Sequence, residues 1–238
     1  MTQRIFNVRP SPPDEIDREE RATFTVERAA LDIPSGRTVV GMIPPRTDQG
    51  SLGTCIAHMS YVLYSHKFKE KYGRFPVIGV SEINAFYDLC VKVEGGYDPE
   101  RTGGLWPVTA FRVMRGSGFP LAGGKRGPHI TGFEYVGSTY ADVRRSIVTF
   151  NDPVGVALSW DSAWMVCPTN KVLRPPVGQI IGGHGFAAFV RDDAYAGVGE
   201  VEGNVQSWGK WGPNGTFYLR DDYLLDRWVE GWRIKGIE

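Results

Sequence analysis

The order of the hydrophobic patterns along this chain is the feature that most constrains its fold. Apolar residues recur at helical spacing from Cys55 onward, and Gly73 is placed to end that helix. Three further segments have a helical pattern, at 80–95, 103–118 and 139–151. The pattern then changes to short strand-like runs separated by Gly, Pro and Asp, at 152–160, 183–193, 199–209 and 215–224. Helices followed by strands predict an α+β fold, with a helical N-terminal half, a β-rich C-terminal half and a cleft between them.

The first 34 residues differ from the rest of the chain because they are polar and charged, with RPSPPDEIDREER at their centre. We predict an N-terminal extension over residues 1–34 and a single domain over residues 35–238, which is long enough to bury a sizeable core. Two interpretations of the extension stay open. It is a surface arm or short helix that precedes the core, or a short pro-segment or plug that lies over the active cleft.

Charge and composition exclude several function classes. The 27 Lys and Arg residues balance 27 Asp and Glu residues, so nothing indicates a nucleic-acid or membrane-surface partner. Three cysteines without C-x-x-C spacing predict neither a disulfide framework nor a zinc site. No apolar stretch is long enough for a signal peptide or a transmembrane helix. We therefore expect a cytoplasmic protein with no cofactor and no metal, while its oligomeric state is not indicated.

Cys55 has the setting that a nucleophilic thiol needs. The N–H groups and dipole at the start of a helix favour the thiolate. Gly50 and Gly53 let the preceding loop turn sharply and admit a substrate. Gln49 offers a side-chain amide that can face an oxyanion beside the Cys55 N–H. The stretch therefore predicts a nucleophile, provided that a histidine elsewhere in the chain serves as its base.

Four histidines are candidates for that base. His184 lies between two glycines at the start of an apolar, strand-like run, which is the setting of a crowded cleft. His58 is near Cys55 in sequence but lies on the same helix, where reaching across to the thiol is awkward. His66 and His129 have no supporting context. His184 is therefore the favoured base.

The segment DQGSLGTC resembles the nucleophile segment of the papain-like cysteine peptidases, whose common form is Gln-Gly-x-Cys-Gly-Ser-Cys-Trp. In that family the histidine and asparagine follow the cysteine by about 130–150 residues. His184 follows Cys55 by 129 residues, and Gln206, which precedes Ser-Trp-Gly, follows it by 151. DPVGVAL, GGHGFAAFV and SEINAFYDLC followed by GGLWPVTAF extend the similarity, which covers roughly residues 36–225 in the family's order.

The resemblance implies a two-lobe fold in which a central helix starts at Cys55 and the C-terminal half resembles a β-barrel. It implies that Cys55 is the thiolate nucleophile, that His184 is its imidazole partner, and that Gln49 helps to form the oxyanion hole. The substrate-binding residues that it implies are Gly103, Gly104, Gly183 and Trp208. The pocket beside Gly183, Gly185 and Ala157 is expected to have room for a bulky apolar side chain of the substrate.

Three departures from the family pattern stand out. Gln206 replaces the usual asparagine, so the amide that orients the histidine has a stem one methylene longer. Gln206, its neighbour Asn204 on the same strand face, or neither of them remains open as the orienting residue. Leu52 and Arg101 stand where the family has half-cystines, and Ile56 stands where it has tryptophan. The extracellular disulfides of the family are therefore expected to be absent.

The predicted function is that of a cysteine peptidase, which cleaves a peptide or protein substrate through a thiolate–imidazolium pair and an acyl-thioester. Two other classes stay open. One is a papain-like binding or inhibitory module that has lost turnover, as the changes at Gln206 and Ile56 would allow. The other is a cell-wall amidase or transamidase that uses the same arrangement of a cysteine at a helix start and a histidine on a strand.

Overall fold

The computed structural model describes residues 5–13, 37–39, 43–136, 140–192, 201–212 and 215–238. Residues 14–34 of the predicted N-terminal extension lie outside these ranges. The helices come first in the chain, as predicted, and the long strands follow. Five helices are described: α1 (Cys55–Tyr72), α2 (Val80–Val93), α3 (Pro107–Ser117), α4 (Tyr140–Val148) and α5 (Asp221–Asp226).

Helix α1 is the central helix that the sequence predicts. Its first four turns are buried on every side, from Cys55 to Phe68. It ends where Gly73 adopts a left-handed conformation at φ 72° and donates its N–H to the Lys69 carbonyl at 2.8 Å. A helix buried all round must be surrounded by other elements, and α1 contacts α2 and α3 on one side and the sheet on the other.

The starts of two other helices compare differently with the prediction. Helix α2 begins at Val80, as predicted, and the Glu82 carboxylate accepts the Gly79 N–H at 2.8 Å before its first turn. Helix α3 begins at Pro107, which is favoured at a first helical position. The preceding residues 103–106, predicted as part of that helix, are outside it.

One antiparallel sheet forms the second half of the fold. Its strand order is β4-β9-β5-β6-β7-β8, and β1 pairs with β6 beside this path. The strands are β1 (Arg37–Val39), β4 (Ile130–Val136), β5 (Val154–Asp161), β6 (Ile180–Asp192), β7 (Val201–Val205), β8 (Thr216–Arg220) and β9 (Trp228–Ile237). A separate short hairpin contains β2 (Pro120–Leu121) and β3 (Lys125–Arg126).

The sheet corrects the expectation of a β-barrel-like half. Among the described residues, β4 and β8 stand at opposite ends of the strand path and do not pair with each other, so the seven strands stay open. The long strands β5, β6 and β9 are central, and they present one face to α1. The α+β class and the division into helical and β-rich halves are confirmed.

Glycines on the sheet let α1 approach it closely. A Cβ on Gly155 would lie 2.8 Å from Leu63 Cδ1 and 3.0 Å from Met59 Sδ. A Cβ on Gly185 would lie 2.5 Å from Ile56 Cδ1. A side chain at either glycine would therefore require the ends of these α1 side chains to move, so the glycines give those side chains room against β5 and β6.

A buried network of charged side chains joins α1 to strands β4 and β9. Lys67 and Arg233 both bond to Asp152, the latter at 2.8 Å, and Arg233 also bonds to Glu134 at 2.7 Å. All four side chains are nearly inaccessible to solvent. Within the described residues, no helix combines the length and apolar character that a bilayer-spanning segment requires.

Candidate active site

The loop before α1 is bonded to the loop after β7, so the two halves of the fold meet at the candidate site. The Gln49 N–H donates to the Ser207 carbonyl at 2.7 Å, and the Gly209 N–H donates to the Thr47 carbonyl at 3.3 Å. These bonds hold the segment that leads into Cys55 against the segment that follows Gln206. The relative position of the predicted site residues is therefore held by backbone contacts.

Cys55 is the first residue of α1, and its side chain is fully buried. Burial raises the pKa of its thiol to about 11, although hydrogen bonds from the backbone of Gly185, Ile56 and Cys55 itself lower it. Gly185 directly follows His184 on β6. The thiol therefore lies against the strand segment that carries the predicted imidazole, and it is protonated in this state at neutral pH.

His184 is held by Gln206, the residue that replaces the family's asparagine. His184 Nε2 lies 3.3 Å from Gln206 Oε1, and both side chains are buried. Because an amide oxygen only accepts, this contact places the imidazole proton on Nε2. Asn204, the alternative, is paired in register with Ala188 further along β6. The structure therefore brings Gln206 to the histidine, and Nδ1 is left as the nitrogen that can exchange a proton with a nucleophile.

Aromatic rings surround the histidine. The Trp208 ring centroid lies 4.5 Å from that of His184, and the Trp160 ring centroid lies 5.0 Å away with its plane at 78°. Both tryptophans are essentially inaccessible to solvent. They shield the bond between His184 and Gln206 from water, which strengthens it. Trp208 was predicted at this place, whereas the contribution of Trp160 from the adjacent strand β5 was not.

Gln49 is buried near the start of α1, and both ends of its amide have partners. Its Nε2 donates to the Leu52 carbonyl at 2.6 Å, and its Oε1 accepts from the Ser207 hydroxyl. A side-chain amide carries two N–H groups, so one donor remains beyond the bond to Leu52. Ser207 was not singled out from the sequence, although it lies in the Ser-Trp-Gly segment. It fixes which way the Gln49 amide faces.

The other histidines have structural surroundings. His58 Nδ1 is bonded to the Thr47 hydroxyl at 2.6 Å, and burial lowers the pKa of His58 to about 3. His66 is buried with its ring against Phe189, 6.0 Å between centroids. A buried, neutral His58 bonded to Thr47 cannot serve Cys55 as a base. His184 is the histidine that lies next to Gly185, the β6 residue whose backbone bonds to the Cys55 thiol.

Residues 5–13 of the predicted extension cross the cleft between the two halves. The Val8 N–H donates to the Gly183 carbonyl at 3.2 Å, and the next amide, that of Arg9, donates to the Leu105 carbonyl at 3.3 Å. Successive residues of an extended chain face opposite sides. The segment therefore bonds to the sheet side through Gly183 and to the helical side through Leu105. We call residues 6–11 the N-terminal strap.

The strap covers the predicted catalytic histidine. The Phe6 ring centroid lies 6.2 Å from that of His184, 5.4 Å from that of Trp208 and 6.4 Å from that of Trp160. A Cβ on Gly182 would overlap the Phe6 carbonyl. The absence of a side chain at Gly182 therefore lets an extended backbone lie close to the sheet. In this structure that backbone is the strap's, at Phe6.

Gly103 and Gly104, predicted to bind a substrate backbone, form the opposite wall. Gly104 has a φ of 70°, and a Cβ there would overlap the carbonyl of Asn7 in the strap. The Gly103 N–H donates to the Asp98 carboxylate at 2.7 Å, and this bond stabilises the turn. The side chain of Asn7 donates to the Thr102 carbonyl. Gly104 is thus in direct contact with an extended chain, whereas Gly103 supports the turn.

The pocket expected beside Gly183, Gly185 and Ala157 is filled. Ile56, which stands at the position of the family's tryptophan, lies against Gly185, and the Val8 carbonyl would lie 2.7 Å from a Cβ on Gly183. Ala157 is buried beneath them. The room predicted for a bulky apolar substrate side chain is therefore occupied by the chain's own residues in this state.

Arg9 makes the strap's most extensive side-chain contacts. Its guanidinium pairs with the Glu94 carboxylate, donates to the Gly104 carbonyl at 3.2 Å and lies 4.8 Å from the centroid of the Trp106 ring. The Glu94 side chain is only 4% exposed. Burial raises the pKa of Glu94, while the Trp106 N–H and Arg9 lower it. The sequence pattern gave no signal for this cluster.

Beyond Arg9 the strap is anchored at Ser11. The Ser11 N–H donates to Glu230 Oε1 on β9 at 2.9 Å, and the Ser11 hydroxyl accepts the Val108 N–H at 3.1 Å. Val108 lies in the first turn of α3, so Ser11 satisfies one of the free donors at that helix end. The strap therefore contacts both halves of the fold again after it leaves the candidate site.

One cluster of side chains has the composition of a metal site. His66, Glu70 and Asp152 bring potential ligand atoms within 4.8 Å of one another. Lys67, however, bonds to both carboxylates, at 2.9 Å for Glu70, and Arg233 bonds to Asp152. Two cationic side chains already neutralise the acids, so a metal ion would have to displace them. This cluster is better described as a buried ion-pair network.

Comparison with known proteins gives a clear result at the level of structure. No family model and no curated protein matches the sequence. Among solved structures, xylellain, a cysteine protease from Xylella fastidiosa, has a TM-score of 0.73 at 15% identity, covering 100% of this chain and 97% of that one. Procathepsin B from Trypanosoma congolense has a TM-score of 0.72 at 14% identity, covering 100% of this chain and 87% of that one.

A third comparison involves bromelain from Ananas comosus, solved with the inhibitor E64. It has a TM-score of 0.67 at 15% identity and covers 85% of this chain and 100% of its own. A recombinant stem bromelain precursor, with a TM-score of 0.65 at 14% identity, covers 99% of this chain and 78% of its own. Identities this low establish the architecture alone, and by that measure this chain has the fold of the papain-like cysteine proteases.

Proposed function

We propose that this chain is a cysteine peptidase that hydrolyses peptide bonds in a polypeptide substrate, with Cys55 as nucleophile and His184 as its acid–base partner. The observation that carries the proposal is the contact between His184 Nε2 and Gln206 Oε1 at 3.3 Å. It holds the imidazole by Nε2, next to the strand residue whose backbone bonds to the Cys55 thiol. The proposal is supported by the position of this contact, which lies where the loop before α1 bonds to the loop after β7.

The proposed reaction has two stages. His184 Nδ1 takes the Cys55 proton, and the thiolate adds to the substrate carbonyl carbon while the carbonyl oxygen becomes an oxyanion. The Cys55 N–H and the remaining Gln49 N–H stabilise that oxyanion. The C–N bond then breaks, His184 gives its proton to the leaving amine, and a thioester remains. Water, deprotonated by His184, attacks the thioester and releases the carboxylic acid and the Cys55 thiol.

Gln206 and Trp208 support this chemistry without entering it. Gln206 keeps the imidazole in one orientation and one tautomer, and its oxygen stabilises the imidazolium that forms when Cys55 ionises. Trp208 and Trp160 exclude water from that bond. The longer stem of Gln206, compared with asparagine, suits this role because the contact is made from a buried strand end.

The N-terminal strap is proposed to hold the peptidase inactive. It occupies the cleft between Gly104 and Gly183 and packs over His184, and its departure is proposed to open access to the Cys55 thiol, whose burial raises the pKa and disfavours the thiolate. The proposed resting state is therefore a neutral thiol beneath a displaceable segment.

Covalent labelling followed by a cleavage assay tests the proposal. Full-length protein is treated with iodoacetamide or an epoxide at mildly acidic pH, and alkylation of each cysteine is followed by peptide mass spectrometry. Cys167, which is more exposed than Cys55, is the internal control. We expect His184→Ala to slow the alkylation of Cys55 without changing that of Cys167, and a peptide library to be cleaved only when Cys55 is unmodified.

Alkylation of Cys55 at a rate unaffected by His184→Ala would refute the nucleophile assignment. Labelling that depends on His184, without cleavage of any peptide, would favour the alternative of a papain-like binding or inhibitory module. The buried state of Cys55 is the observation that keeps that alternative in view. Release of products from peptidoglycan with no cleavage of peptides would instead indicate a Cys–His cell-wall amidase.

A further inference from the structure

The contacts of Arg9 form a built site for a guanidinium group. Glu94 provides a carboxylate whose side chain is 4% exposed, Gly104 provides a carbonyl at 3.2 Å, and Trp106 provides a ring face at 4.8 Å. A guanidinium, with five N–H donors and a planar face, can engage a carboxylate, a carbonyl and an aromatic face at once. Such a set is more specific than a surface ion pair between two mobile side chains.

Glu94 is fixed in place independently of the strap. Its Oε1 accepts the Trp106 N–H at 3.0 Å, so its carboxylate is oriented from the end of α2 toward the start of α3. Trp106 is the residue immediately before Pro107, the first residue of α3. Glu94 therefore has a partner in the wall of the cleft besides Arg9.

The site lies along the track that the strap's backbone follows. Arg9 bonds through its N–H to Leu105, beside Gly104, and it lies three residues beyond Phe6, which packs against His184. An extended polypeptide that occupies the same track with its carbonyl near Cys55 would carry a side chain past Glu94 and Trp106 in the same way. The strap thus marks where a substrate side chain would lie.

We infer that the Glu94, Gly104 and Trp106 cluster is a specificity subsite for an arginine of the polypeptide substrate, which Arg9 occupies as an internal surrogate. The inference rests on the proposed peptidase function. It names a substrate class, a chain with arginine a few residues from the scissile bond, that differs from the bulky apolar preference expected from the sequence.

Paired peptides that differ by one functional group test the subsite. Fluorogenic peptides carry arginine at one position, scanned through the four residues on either side of the scissile bond, and each has a twin with citrulline, which keeps the shape but not the charge. The enzyme is full-length Arg9→Ala, in which the subsite is vacant. Because strap occupancy reduces the apparent affinity of both twins by the same factor, it cancels in the ratio of kcat/KM values.

We expect one arginine position to give a kcat/KM about 10-fold above its citrulline twin, since uncharged citrulline loses both the charge-assisted hydrogen bond to Glu94 and the cation–π contact with Trp106. Adding Glu94→Gln, which retains an acceptor for the Trp106 N–H, should bring the ratio to about 1. Adding Glu100→Gln, a charge-matched change at an exposed carboxylate, should leave the ratio high. Lysine at the same position should be a poorer substrate than arginine.

Equal rates for arginine and citrulline twins at every position would overturn the inference, as would a ratio that survives Glu94→Gln. A binding measurement separates this failure from failure of the proposed function. If no peptide is cleaved by any variant, Cys55→Ala/Arg9→Ala protein is titrated calorimetrically with the same twins. Tighter binding of the arginine peptide, lost with Glu94→Gln, supports the subsite without turnover, and equal binding refutes it. Thermal melting confirms that each variant is folded.

Discussion

Replacing Arg9 by alanine should expose Cys55. The side chain contributes a half-exposed ion pair to Glu94, a hydrogen bond to the Gly104 carbonyl and a stacked contact with Trp106. An exposed ion pair contributes about 0.2–1 kcal/mol and a cation–π contact about 0.5–1 kcal/mol. With the additional hydrogen bond, Arg9→Ala should weaken closure of the strap by about 1–2 kcal/mol, or roughly 5- to 30-fold in the open population.

The assay for this change is the rate of iodoacetamide alkylation of Cys55. The reagent is too small to need the substrate subsites, so its rate follows the fraction of molecules in which the strap has left the thiol. We expect Arg9→Ala to be alkylated roughly 5- to 30-fold faster than the parent chain at the same pH. A preserved melting profile shows that the increase comes from the strap and not from global unfolding.

Arg220 offers a matched control. Its guanidinium is bonded to Asp222 at 3.0 Å, lies 5.2 Å from the Tyr223 ring centroid and is exposed to a similar degree, at 39% against 43% for Arg9. It lies on β8, away from the strap. Arg220→Ala should therefore leave the Cys55 alkylation rate unchanged. If Arg9→Ala and Arg220→Ala are alkylated at the same rate, the strap does not control access to Cys55.

Three further predictions concern the site and the core. Gln206→Ala should lower kcat about 10-fold or more with little change in KM, because the imidazole loses its orienting acceptor; an unchanged kcat would exclude that role. For His58, the pKa of about 3 in the folded state lies below the ordinary value near 6.5, so the unfolded chain binds the extra proton as pH falls. The free energy of unfolding should therefore fall by up to about 1.4 kcal/mol per pH unit below pH 6.5, and His58→Gln should flatten that slope in thermal or urea melts. Asp152→Ala should destabilise the chain by about 3–5 kcal/mol in urea unfolding, since Lys67 and Arg233 lose the carboxylate they share; a cost below about 1 kcal/mol would show that this network is not essential to the core.

The elements predicted best from the sequence are those whose signals are local. Helix α1 combines a long helical pattern with a left-handed glycine, and the structure ends it at Tyr72 as expected from Gly73. The helical pattern predicted the helix, and the glycines before Cys55 helped to predict a nucleophile at its first residue. The sequence leaves Gln206, Asn204 or neither open as the residue that orients His184, and it is Gln206, next to Ser-Trp-Gly, that contacts the imidazole.

Strands β4 and β9 were not predicted, because their signals are not local. Gly231 interrupts the pattern of β9, yet a Cβ there would lie 2.7 Å from the Trp228 ring, so the glycine makes room for a side chain of the same strand. β9 pairs with β4 and β5, which are distant in sequence. Neither the pairing nor the open edge of the sheet follows from hydrophobic periodicity alone.

The strap was beyond what the sequence could specify. Its six residues, Phe-Asn-Val-Arg-Pro-Ser, are too few to show a periodicity, and their partners lie far along the chain, such as Leu105 for Arg9 and Glu230 for Ser11. A plug over the cleft was one of two open interpretations of residues 1–34. Residues 6–11 contact both sides of the cleft, as a plug would, while residues 14–34 lie outside the described structure.

The covalent tether between the strap and the cleft sets how strong any competing ligand must be. A segment attached to the same chain binds at an effective concentration set by its linker, which is in the mM range for short flexible connections. Few contacts are then enough to keep the cleft occupied, and the strap can combine a modest intrinsic affinity with rapid exchange. A peptide or inhibitor displaces the strap only when the ratio of its concentration to its dissociation constant exceeds the same ratio for the strap, taken with the strap's effective concentration. Affinities measured on the full chain would accordingly understate how well the open cleft binds, by the factor that the strap itself contributes.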